Sequence, residues 1–191
     1  MILLIVGSFF YFSFNYGYTI TGDIMYYYIN FFFLTSFLGF LVETIMKTFF
    51  FHSMNNGILF GPWVPVYGFG CILIIALEKF IFGKLKVNSF FKIVLQFISV
   101  FILITFLEWC GGVLIEKLFN DVFWDYSDLK FNIGPYIAIE MSLLWAFISI
   151  IFIYFIRPVI DLIIKKIPKW LTILILVLFL IDVFFTTLKL I

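Results

Sequence analysis

Charge is almost absent from several long stretches of this chain, each interrupted by at most one carboxylate, and those stretches mark its elements. A helix that crosses a bilayer needs about 20 predominantly apolar residues, since each residue adds only about 1.5 Å of rise. Residues 24–46, 93–115, 135–156 and 170–188 meet that length. The apolar run at 65–77 becomes another span, 65–82, once its flanking residues are included. Residues 1–18 are uncharged and mostly apolar, with no basic leader and no small-residue cleavage site. They read as a sixth span rather than a signal peptide. The expected fold is therefore an all-α membrane protein. It is a single transmembrane domain over 1–191, a bundle of five or six transmembrane helices.

Composition supports the same class. Of 191 residues, 65% are hydrophobic and 12% charged, whereas a soluble domain is nearer half apolar and a quarter charged. The net charge of +1 suggests neither nucleic acid nor an acidic partner. The expected environment is the lipid bilayer. No polar stretch is long enough to be a separate soluble domain. There is no glycine-rich loop ending in Gly-Lys-Ser/Thr, so ATP hydrolysis by that route would fall to another chain.

Lysine and arginine positions set the expected orientation. Lys79, Lys84, Lys86 and Lys92 separate the second and third clear spans, and Arg157, Lys165, Lys166 and Lys169 separate the fourth and fifth. The intervening loop carries Glu116, Asp121, Asp125 and Asp128 against Lys117 and Lys130. The two basic connections are expected in the cytoplasm, and the acidic loop outside.

Three features rise above this background. The first is the sequence Gly57-Ile-Leu-Phe-Gly-Pro-Trp-Val-Pro-Val-Tyr-Gly-Phe-Gly70. Pro62 and Pro65 lack an amide hydrogen and disfavour helix in the residue before each. Gly61, Gly68 and Gly70 permit close backbone approach, and Tyr67 sits among them. This irregular, Gly/Pro-rich outer segment is either a structured loop feeding the second span or a broken segment lining a substrate site. Irregular backbone is tolerated at membrane depth only inside protein or beside a wet cavity.

The second feature is the set of carboxylates inside spans: Glu43, Glu108 and Glu140, with Asp182 separate in the last one. An ionised carboxylate near a span centre costs about 2.5–3.5 kcal/mol on insertion scales. The expected topology puts the three glutamates in the outer half of the bilayer with no lysine or arginine at that depth. They must be protonated, bind a cation or accept hydrogen bonds. They are candidates for a shared substrate or ion site, weighed against a hydrogen-bonded network that holds helices together. Asp182, with Thr186 one turn on, reads as a local hydrogen-bonded residue.

The third feature is Phe123-Trp-Asp-Tyr-Ser-Asp128 in the acidic loop. Trp124 and Tyr126 suit a membrane interface, and Asp125 before Ser127 suits a turn. The segment is expected to be an outer-loop lid, either a plain interfacial anchor or a gate. His52 is the only histidine, and Cys71 and Cys110 both fall in apolar runs. Neither a metal site nor a nucleophilic catalytic set is expected, so the chain reads as a non-enzyme without a cofactor.

Taken in order, Ser36-Phe-Leu-Gly-Phe-Leu-Val-Glu43, Phe60-Gly-Pro-Trp-Val-Pro-Val-Tyr-Gly68, Leu107-Glu108, Trp124-Asp-Tyr-Ser127 and Ser142-Leu-Leu-Trp145 resemble the bacterial family of putative ATP-binding-cassette transporter type IV permeases. The resemblance runs from about Asn30 to Arg157, and Phe40 stands where the family usually has Trp. It implies a multi-pass protein of the bacterial cell membrane that acts as a permease subunit with a separate ATPase. The short basic connections leave little room for a coupling helix, so a transporter would need a homo-oligomer or another partner subunit. The alternative is a non-transporting membrane scaffold or a lipid-binding envelope protein.

Overall fold

The computed structural model describes residues 23–49, 59–120, 122 and 124–190. The span expected at 1–18 lies outside them. The described chain is all-α but for one two-residue hairpin. Its helices are α1 (Asp23–Phe49), α2 (Pro65–Phe80), α3 (Ser89–Phe119), α4 (Ile139–Ile151), α5 (Arg157–Ile164) and α6 (Lys169–Leu190). A single 3-10 turn, Phe82–Lys84, follows α2, and a π turn, Phe152–Ile156, joins α4 to α5. The hairpin pairs β1 (Asn132–Ile133) with β2 (Ile137–Ala138) in antiparallel register, Asn132 opposite Ala138. Gly134 at its tip has φ +67°, a conformation that favours glycine.

Among the described residues five helical stretches are long and apolar enough to cross a membrane: Ile24–Ile45, Pro65–Lys84, Ser89–Lys117, Ile139–Ile164 and Lys169–Lys189. Only 17–39% of each is buried within the fold, so the remaining faces present apolar side chains outward, as lipid requires. Several hydroxyl groups in these helices bond within their own helix. Thr35, Thr44, Thr105 and Ser149 each donate to the carbonyl four residues earlier.

The helix that was expected to end at residue 156 runs on to Ile164. Pro158 carries no N–H and cannot donate to the carbonyl of Tyr154, so the ladder widens at the π turn instead of ending. The charges beyond it are absorbed side by side: Arg157 lies 3.8 Å from Asp161 one turn on. Only residues 165–168 then separate α5 from α6.

The chain divides into two compact units, one holding residues up to Ile75 and from Arg157, the other Ala76–Ile156. In the first unit α1 and α6 run parallel. Asn30 accepts from Thr172 at 2.9 Å, and further along both helices Phe33 meets Phe179 with ring centroids 5.4 Å apart. Tyr27 ties α1 to α5 by donating to Asp161 at 2.7 Å. In the second unit α3 and α4 run antiparallel. Glu108 lies opposite Ser142, and Gln96 lies opposite Tyr154 on the π turn.

Candidate functional sites

The Gly/Pro segment belongs to the first unit. From Leu59 to Val64 the chain is non-helical, and α2 begins at Pro65, a first-turn position where proline loses nothing. The amides that a helix would have used are bonded elsewhere. Phe60 and Gly61 donate theirs to the two carboxylate oxygens of Asp182, at 2.9 and 2.7 Å. The Trp63 indole adds a 2.7 Å bond to Asp182, and Thr186 a fourth at 3.1 Å. Val64 N–H donates to the Ser36 carbonyl on α1 at 3.1 Å. Asp182 thus works as an anchor for the segment, with donors reaching it from both the backbone and a ring.

Two sequence stretches interlock here. A Cβ on Gly39 would lie 2.4 Å from the Tyr67 ring, and a Cβ on Gly68 would lie 2.4 Å from Ser36 Oγ. Each helix therefore carries a glycine where the other presses a side chain against it. Gly70, by contrast, faces open space. Tyr67 also gives Glu43 a hydrogen bond, so this glutamate of α1 is tied to the start of α2.

Glu108 and Glu140 belong to the second unit. Glu108, on α3, accepts from the Tyr126 hydroxyl at 3.3 Å and the Ser142 hydroxyl at 3.4 Å. The Trp145 side chain is a third hydrogen-bonding partner. Both hydroxyl contacts are long beside the usual O–H···O spacing of about 2.7–2.8 Å. Among the described residues no lysine or arginine pairs with Glu108. Glu140, in the first turn of α4, accepts the Phe131 amide at 3.0 Å, and its other oxygen is buried without a partner. Glu140 and Ser142 leave α4 about 200° apart, at about 100° per residue. The two glutamates accordingly have separate partner sets.

The loop before the hairpin covers Glu108. Asp125 turns it by accepting the Ser127 amide at 2.8 Å. Hydrogen bonds from the Ser127 side chain and backbone hold the Asp125 carboxyl below its ordinary range. Tyr126 N–H reaches the Pro135 carbonyl at 2.8 Å, and Trp124 donates its indole to the Tyr136 carbonyl at 3.2 Å. Tyr136 donates to Glu116 at 2.6 Å and lies against Gly112, where a Cβ would be 2.3 Å from its ring. Donation to Glu116 pushes the Tyr136 hydroxyl up to about 12. Burial, then the charge of Glu108, raises the Tyr126 hydroxyl above its ordinary value.

Nothing in the linear sequence marks Asp182 as an anchor, or Tyr136, Glu116 and Tyr154 as partners in these contacts. Gln96 was open to discovery, as an amide inside an apolar span. The Tyr136 role was not, because it depends on how the hairpin returns to α3.

The family model described as putative ABC-transporter type IV matches residues 30–187, a range that includes all the site residues above. No curated protein and no solved structure matches the chain.

Proposed function

Because this chain belongs to the putative ABC-transporter type IV family, we propose that it is the permease subunit of a transporter in the bacterial cell membrane, driven by a separate ATPase. In this reading the hairpin end faces outward and Glu108 contacts the substrate. The observation that carries the assignment is the coordination of Glu108. A carboxylate within an apolar span is held by long bonds from Tyr126 and Ser142 and has no cationic partner among the described residues. Buried acids in membrane spans that lack a counter-charge suit substrates or ions that supply one. Tyr126 belongs to the covering loop, so loss of its bond would couple loop movement to access. Glu140, in the same unit, is carried as a further candidate contact, and Glu43 as a separate candidate in the first unit. The chain itself contributes no catalytic step, and ATP hydrolysis belongs to its partner.

A second reading, a non-transporting scaffold or lipid-binding envelope protein, draws on the short connections. Residues 81–88 and 165–168 leave no room for a coupling helix of ordinary length. The permease reading answers this with a homo-oligomer or another subunit. Affinity purification of the tagged chain in mild detergent, followed by mass spectrometry, separates the two. A co-purifying nucleotide-binding ATPase is expected, and Glu108→Gln should retain it while uncoupling substrate from ATP turnover. Recovery of an envelope protein in fixed stoichiometry, with no ATPase, would favour the scaffold.

A further inference from the structure

The surroundings of Glu108 carry information about the chemistry of its ligand. Its three hydrogen-bonding partners are all neutral: Tyr126 at 3.3 Å, Ser142 at 3.4 Å and the Trp145 side chain. Trp145 also bonds the Tyr126 hydroxyl, so an indole and a phenol meet through their polar edges beside the carboxylate. A carboxylate has about four lone-pair sites. Two of the bonds to Glu108 are long, and no cation among the described residues answers its charge. Glu108, Tyr126 and Trp145 are each partly exposed, so the group is not sealed from a ligand.

Gly111 and Gly112, one turn further along α3, lie on the same face as Glu108. The helix therefore offers no side chain just beyond the carboxylate, and aromatic rings take the space. A Cβ on Gly111 would lie 3.4 Å from the Trp124 ring, and Tyr136 presses on Gly112. One turn of α3 thus carries a single negative charge with rings from the covering loop, the hairpin and α4 around it.

This donor set selects among ligands. An anion would be repelled by the carboxylate. Calcium and magnesium want about six or more oxygen ligands, and among the described residues no three His, Cys, Asp or Glu side chains gather to hold a metal. The indole N–H is a donor only and offers a metal nothing. A bare alkali ion would use the charge but cover no apolar ring surface. An organic cation uses both, since aromatic faces attract an ammonium group and pack against its alkyl substituents.

We propose that the Glu108 site takes a small organic ammonium ion, with its charge on the carboxylate and its alkyl groups against Trp145, Tyr126 and Trp124. This names the substrate class and rests on the permease reading of Glu108 as the substrate contact.

The test is equilibrium dialysis of radiolabelled tetramethylammonium against the full chain in a maltoside detergent at fixed ionic strength. Saturable binding is expected, and potassium or calcium at the same concentration as the probe should not displace it. Glu108→Gln keeps the size and hydrogen bonding of the side chain and should abolish binding. Trp145→Leu should weaken it by about tenfold, and Trp145→Phe, which loses the indole bond but keeps a ring, should weaken it less. No saturable binding, or unchanged binding in Glu108→Gln, would overturn the proposal, as would equal binding by Trp145→Leu and the parent chain. Displacement by potassium or calcium would assign the site to a bare cation, overturning the ammonium class while the permease reading stands. Saturable, Glu108-dependent binding by a chain that co-purifies with no ATPase would keep the ammonium site and remove the permease reading.

Discussion

Trp63 donates its indole N–H to Asp182 over 2.7 Å, across 119 positions of sequence. That bond, with the Phe60 and Gly61 amides on the same carboxylate, explains how an apolar segment with two prolines stays ordered without a helix. The backbone donors are satisfied by one side chain of a distant helix, which membrane depth demands.

Asp182→Leu should therefore destabilise the protein by about 2–4 kcal/mol, because it strands two amides and an indole at once. Asp182→Asn keeps one carbonyl acceptor and should cost less. Thermal unfolding in detergent measures both, and limited proteolysis should show cleavage near residues 59–64 in the leucine variant first. Equal stability of Asp182→Leu and the parent chain would remove the anchor role.

Glycine substitutions should split into two classes. Gly39→Ala and Gly68→Ala drive a methyl into Tyr67 or into Ser36 and Phe32. Each should cost about 1–3 kcal/mol by overpacking. Gly70→Ala meets nothing within 4 Å and sits inside α2, so it should stabilise by about 0.5–1 kcal/mol through helix propensity. Unfolding midpoints for the three variants decide the matter, and a loss at Gly70 equal to that at Gly39 would contradict the packing.

The hairpin should loosen at high pH. The Tyr136 hydroxyl is raised to about 12 by its bond to Glu116, against about 10 for an unfolded tyrosine. A raised acid contributes stability that is fully present below the unfolded value. It is lost as pH climbs from about 10 through the folded value, since the unfolded chain releases its proton first. Tyr136→Phe should abolish that part of the decline. Ultraviolet titration of tyrosinate together with stability measurements across this window provides the check.

Orientation is testable by labelling. Single cysteines at Lys84 and Lys165, both exposed, should react with an impermeant maleimide only after permeabilisation. One at Asp128, exposed in the loop before the hairpin, should react in intact cells. Reaction at position 84 from outside would reverse the orientation and place Glu108 toward the cytoplasm.

The membrane class and the five spans among the described residues were legible without a structure, because the bilayer acts as a uniform solvent. A stretch of about 20 apolar residues has one way to satisfy its backbone, and composition alone carries that signal. Proline chemistry likewise marked where helix would fail before Pro65. The span edges were less legible. Arg157 and Asp161 looked like a loop, yet they pair one turn apart inside a helix, since charge ends a hydropathy window without ending a helix. Tertiary structure alone decided the partners. Polar residues in α1 and α6 find one another as Asn30 with Thr172, and Asp182 takes the Gly/Pro segment. Glu108 and Glu140 have similar sequence settings, yet one is bonded from the covering loop and α4, the other from the Phe131 amide. Depth along a span follows from counting residues. The direction a side chain leaves its helix, and the donor it meets there, depends on which helices pack together, and no one-dimensional pattern records that.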